Sequence, residues 1–184
     1  MDFTFADIVL LLLFAGAFVL GFVLGTIHQL LALLVWLISF LLAANLAIPG
    51  GDFLGGYWST FSKAYSQMVT FLILYLAFLI IGNIIVFVMY KHSPMTGRLA
   101  FLDEVVGGVL CVGVAILIVG GLVAILDSFY QYHSLADSAE QSIVRALFQG
   151  LDGSTIVGWL RDSLVPALGA ILSPLIPAEL RPTL

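Results

Sequence analysis

Residues 8–51 read IVLLLLFAGAFVLGFVLGTIHQLLALLVWLISFLLAANLAIPGG, 44 positions without an Asp, Glu, Lys or Arg. A helix that crosses a bilayer needs about 20 apolar residues to match ~30 Å of hydrocarbon. As one straight helix the run would reach ~66 Å at 1.5 Å per residue, twice that thickness. It therefore predicts two spans and a reversal between them. Gly21, Gly25, Thr26, His28 and Gln29 form its least apolar patch, and the turn is expected there. A tight turn places its backbone at the membrane edge, where water or headgroups satisfy the freed N–H and C=O groups.

Two shorter charge-free runs follow, 27 residues over 64–90 and 22 over 105–126, each long enough for one span. The expectation is an all-α integral membrane protein with four transmembrane helices near 8–24, 28–48, 67–90 and 104–127, followed by C-terminal amphipathic helices. Residues 1–130 would form the membrane domain and 131–184 a helical segment with a Pro-rich tail. Composition agrees: of 184 residues, 62% are apolar or aromatic and 9% charged, where a soluble domain carries about a quarter. The mean hydropathy is +1.18. Six Lys+Arg and 11 Asp+Glu cannot cover that much apolar surface, which excludes a water-soluble globular domain and a disordered chain. A net charge of −5 leaves no footprint for phosphate backbones, which excludes nucleic acid as a partner. The partner that composition demands is the lipid bilayer.

Tyr57, Trp58, Tyr90, Phe129, Tyr130 and Tyr132 stand at the expected span ends, the depth at which amphipathic rings accumulate. Lys91 and Arg98, with His28 and His92, fall on one side; Asp2, Asp7, Asp52, Lys63 and the C-terminal segment fall on the other. The positive-inside rule favours the first side as cytoplasmic, which puts both termini outside. Residues 1–24 have no basic n-region and no small-residue cleavage site before the second span, so they read as a retained span.

Beyond the last span, Ser134 and Asp137 mark a helix start and Gly150 its stop, with Leu135, Ala139, Ile143, Val144, Leu147 and Phe148 at helical spacing. A second stripe comprises Ile156, Trp159, Leu160, Leu164, Leu168, Ile171 and Leu172, and Pro166 is expected to bend or break it. Both helices are expected to lie in the interface, to pack on the bundle or to dock a partner. Pro174, Pro177 and Pro182 predict an extended tail.

Nothing in the chain reads as an active site. There is no GxxxxGK[ST], HExxH, CxxC or GxSxG; the three histidines are isolated; no catalytic, cofactor-binding or metal-ligating set is expected. Ionisable residues would mark a transport path only if they stood at mid-span, and Asp7, Asp103, Glu104 and Asp127 stand at span ends. Asp103 and Glu104 open the fourth span, where a helix N-terminus favours carboxylates. Asn83, deep in the third span, is expected to hydrogen-bond between helices. Small residues carry more information. Ala17, Gly21 and Gly25 form a ladder at four-residue steps on span one, and Gly107, Cys111 and Ala115 form another on span four. Such ladders let helix backbones approach closely, either within the chain or along a homo-oligomer seam. The lone Cys111 reads as a small packing residue.

In order along the chain stand Asp7; the turn Gly25-Thr26-Ile27-His28-Gln29; Trp36; the opening Asp103-Glu104-Val105-Val106-Gly107; and the close Leu126-Asp127-Ser128-Phe129. This order resembles the colicin V production protein (CvpA-like) family of small bacterial inner-membrane proteins over about residues 5–130. The family's turn commonly reads Arg-Gly-Phe-x-Arg-Glu, where this chain has Leu24, Thr26, His28 and Gln29 at the four named side chains; its Asp-Arg opening is Asp103-Glu104 here. The resemblance implies a non-enzymatic, multi-pass protein of the bacterial plasma (inner) membrane, involved in toxin production or export and in envelope homeostasis. It would act by helix–helix association and interfacial docking. Two other readings stay open: a small oligomeric channel or transporter, and an accessory or scaffold subunit bound to a larger membrane-protein complex.

Overall fold

Long uninterrupted apolar sequence leaves the backbone no partner but itself, and every described element is helical. The computed structural model describes residues 4–57, 63–90, 98–132 and 150–172. Helix α1 runs Phe5–Tyr57, α2 Lys63–Met89 and α3 Arg98–Tyr132. A shorter rod follows: α4 Thr155–Trp159, a π-helical turn Leu160–Leu164, and α5 Val165–Leu172. The residues near 134–148, Trp58, the loop with Lys91 and His92, His133 and the tail after 172 lie outside the described residues.

Three stretches are long and apolar enough to cross a membrane: Phe5–Phe53, Ser66–Met89 and Phe101–Asp127. In their most apolar windows only 22%, 17% and 33% of the residues are buried. Leu12, Val19, Leu20, Val23, Ile80, Ile84 and Phe87 face outward. Helices apolar all round with bare leucine and isoleucine exteriors belong in lipid. This is a membrane protein.

The reversal in the first run is confined to one residue. Gly25 alone leaves the helical region, at φ 77° and ψ 172°, where a side chain would be strained. The chain folds back there. Leu10 clusters with Val123, while Phe40 lies against Gly121, so residues 15 positions either side of Gly25 meet the same turn of α3. The broader turn expected over 25–28 collapses to a point because Thr26, His28 and Gln29 are already helical. Most other helix ends lie outside the expected span bounds. The second arm of α1 passes Pro49 to reach Tyr57 rather than ending near 48, and α3 begins at Arg98 rather than 104.

Glycines set two close crossings. A Cβ on Gly21 would sit 2.3 Å from the Cys111 Cβ and 2.4 Å from the Gly107 carbonyl oxygen. One on Gly107 would sit 2.6 Å from the Gly21 oxygen and 2.7 Å from the Gly25 carbonyl carbon. At the far end of α1, a Cβ on Gly51 would meet Gln67 of α2 at 2.5 Å. Between these crossings lies an aromatic core. Trp36 and Phe40 of α1 pack with Phe71 and Tyr75 of α2, and the Phe40 and Tyr75 rings meet edge-on at 5.9 Å and 89°. Trp36 Nε1 donates to the Tyr75 hydroxyl at 3.0 Å, which donates to the Ile118 carbonyl of α3 at 3.4 Å. The core thus joins all three helices and satisfies its own polar atoms.

Gly107→Ala is expected to lower the midpoint of thermal unfolding in mild detergent, by an overpacking cost of about 1–3 kcal/mol. Gly16→Ala, where a Cβ meets nothing within 4 Å, is expected to leave it unchanged or raise it slightly.

Candidate functional site

Two of the span-end carboxylates, Asp7 and Asp127, converge on the rod. Asp7 stands in the first turn of α1, where Thr4 and Asp7 cap each other: the Thr4 amide and hydroxyl donate to Asp7 Oδ2 at 2.9 and 2.8 Å, and the Asp7 amide donates to Thr4 Oγ1 at 3.4 Å. The same carboxylate closes the N-terminus of α4. Ser154 Oγ donates to Asp7 Oδ1 at 2.6 Å, Ile156 N–H to Oδ1 at 2.9 Å, and Thr155 N–H to Oδ2 at 3.3 Å. Ser154 Oγ in turn accepts from the Val157 amide at 3.2 Å. One fully buried carboxylate therefore serves two helix starts, each with amides that lack intrahelical partners.

Asp127, at the end of the third apolar stretch, holds the rod one turn further on. Arg161 grips it in a fork, Nε to Oδ2 at 2.8 Å and Nη2 to Oδ1 at 2.9 Å, and its Nη1 binds Asp152. The two carboxylates outweigh the partial burial of Arg161, which works against its charge, and its pKa is raised. Beneath these ties Val157 and Leu160 pack on Leu10, Val119 and Val123. Leu164 rides over Gly120, where a Cβ would lie 2.3 Å from its Cδ2. Pro166 does not break the rod: the π turn before it sends the Val165 amide to the Leu160 carbonyl, absorbing the lost register. Trp159 and Ile171, placed by spacing on the apolar stripe, face outward instead. Gly150 itself lies in a short helical stretch over 150–152 that ends at Gly153; the helix it is expected to stop lies outside the described residues.

At the opposite end of the bundle Asp103 attends the break at Gly25. Its Oδ1 accepts the Thr26 amide at 3.1 Å, and its carbonyl accepts the Thr26 hydroxyl at 3.0 Å. The expected dipole role at the start of its own helix is corrected: α3 starts at Arg98, and Asp103 caps the second arm of α1 instead. Glu104, half-buried beside it, takes no part in this cap. His28 is buried, its ring 6.3 Å from that of Tyr90. Asn83 does not reach another helix; its amide donates to the Leu79 carbonyl of its own at 2.8 Å. Gly21, Gly25, Gly107 and Cys111 face one another within the chain; Ala17 is buried and Ala115 half-buried.

Ser154, Arg161 and Asp152 escape a reading of the sequence. Ser154-Thr155 ahead of an apolar stripe is an N-cap signal, and Arg161 is a lone cation inside that stripe. Neither names its partner, which lies 34 residues away for Asp127 and 147 for Asp7.

The family model for the colicin V production protein matches residues 6–153. The chain belongs to that family. No curated protein and no solved structure matches it. The colicin V production match takes in Asp7, Asp103 and Asp127 and stops one residue before Ser154. In this colicin V production family protein the anchoring carboxylates thus lie inside the matched region and the rod they hold lies beyond it. The family is not known as one of enzymes.

Arg161→Ala leaves the Asp127 carboxylate without its fork and is expected to cost about 2–3 kcal/mol. Arg161→Lys should restore only part, since an ammonium cannot reproduce the two-pronged bond. Amide hydrogen exchange over 155–172 reads the result: protection should fall there first in both variants, and in Asp7→Ala.

Proposed function

We propose that this chain is a multi-pass protein of the bacterial inner membrane that crosses four times and acts without catalysis, as a scaffold in colicin V production or export and in envelope homeostasis. One observation carries the scaffold reading. Asp7, Asp103 and Asp127, the carboxylates whose chemistry would suit a proton or ion path, each hold one helix against another. The fold-back at Gly25 supports four crossings, with the second arm returning along α3. With Lys91 and Arg98 on the cytoplasmic side, the rod lies at the outer face of the membrane. There Trp159, Asp162 and Ser163 form an exposed interfacial side that meets lipid or a membrane-protein partner. The close approach of Gly21, Gly25, Gly107 and Cys111 within the chain supports intrachain packing as the role of the small-residue ladders.

Topology is tested by thiol labelling in intact cells after Cys111→Ala removes the native thiol. Asp2→Cys and Ser59→Cys should label from outside, and His92→Cys only after the membrane is opened. Labelling of positions 2 and 59 from opposite sides would overturn the four-crossing reading. Proteoliposomes should pass ions no faster than empty vesicles; a flux that Asp103→Asn abolishes would move the assignment to a channel. In a toxin-producing strain, deletion of the gene should lower exported toxin, and Asp7→Ala should fail to restore it.

A further inference from the structure

Between the second arm of α1 and α3 lies a crevice of about 350 Å³, walled by Leu33, Leu110, Gly113 and Leu117 and closed at its inner end by Leu164 of the rod. Its lining carries a single polar side chain, Gln29. That residue is only 3% exposed. An amide offers two donors and an acceptor, and leaving them unmet among apolar walls is costly. Gly113 marks the open part of the wall: a Cβ there meets nothing within 4 Å.

We propose that this crevice holds one acyl chain of a glycerolipid, with the Gln29 amide donating to the ester carbonyl at the head of that chain. The volume lies at the low end for ligand sites, which fits one chain rather than a whole lipid or a fused-ring molecule. The walls are aliphatic. The depth matches as well. Gln29 lies one turn past Gly25, where the chain turns back at the edge of the apolar layer, and ester groups lie at that edge. From there the crevice follows α3 inward from Leu110 to Leu117, about 10 Å at 1.5 Å per residue, and ends on Leu164. The uncharged amide selects an ester oxygen over a phosphate, which would call for Lys or Arg, and the lining has neither. The proposal rests on the membrane location and not on the role in toxin export.

Native mass spectrometry of the full chain, stripped in mild detergent and incubated with a diacyl phosphatidylethanolamine, tests it. The wild type should retain one lipid per chain and retain the ester-linked lipid at least fivefold better than its ether-linked analogue. Gln29→Leu should erase that preference. Gly113→Leu, which fills the open wall, should cut retention at least tenfold, while Gly16→Leu at an outward-facing position should not. Equal retention of ester and ether lipids by the wild type, or wild-type retention by Gly113→Leu, would overturn the proposal. So would a second polypeptide bound in place of lipid and lost on Gly113→Leu, which would assign the crevice to a partner helix. Should Gly113→Leu fail to fold, a lipid with a photoreactive group at mid-chain should label wild-type α3 between 110 and 117; labelling confined to outward-facing residues would overturn the proposal.

Discussion

A helix interrupted at the edge of the apolar layer frees amides and carbonyls that need new partners, and this fold depends on how the chain meets that constraint at Gly25. The break is held to one residue, so few groups are freed. The first amide beyond it, at Thr26, is met by Asp103 from another helix. That bond does more than satisfy a donor. It fixes the start of α3 beside the fold-back, at the level where Gly21, Gly25 and Gly107 let the backbones touch. From this pinned end both arms of α1 run out along α3, and the aromatic core and the rod's seat form where they pass its far half. The polar bond and the glycine contact require each other: the carboxylate reaches Thr26 only because the backbones are close.

The same chemistry recurs at the other end with the elements exchanged. Asp7 belongs to the start of α1 and caps the start of α4; Asp103 belongs to α3 and caps the second arm of α1. In each case a carboxylate meets a helix N-terminus that is not its own. This arrangement suits a membrane protein. Helix association in lipid has no hydrophobic drive, and a charge-assisted bond to backbone amides gains strength where water is scarce.

That exchange also marks how far the sequence can be read. Charge-free runs reveal the long helices because length and apolarity are local properties. The patch around Gly25 locates the reversal because glycine and polar residues cluster there. The ladders Ala17-Gly21-Gly25 and Gly107-Cys111-Ala115 stand out because spacing survives in one dimension, although not whether they meet each other or a second copy. Asp103 reads as an acidic helix start, and the chemistry is right, but the helix it serves lies 77 residues away. Asn83 reads as a bridge between helices because its own Leu79 carbonyl, one turn back, competes invisibly. Arg161 is legible as an oddity and not as a partner of Asp127, since nothing local links that carboxylate to a residue 34 positions on.

Pro166 gives the rod its particular form. A proline in a helix removes one bond and crowds the preceding turn, and an ordinary continuation would kink away from α3. The π turn over Leu160–Leu164 widens the helix just before the proline, and the rod stays on α3 with Leu164 over Gly120. The turn also divides the rod by the kind of force that holds it. Up to Arg161 the rod is fastened by Asp7 and Asp127 through directed, charged bonds. Beyond it, Leu164 and Leu168 rest on glycine and apolar surface. In water these two leucines would be held by apolar burial; in lipid that drive is absent, and their hold is close packing. The packing of Leu164 on Gly120 also sets the end of the crevice beside Gln29, so the π turn that keeps the rod on α3 shapes that crevice as well.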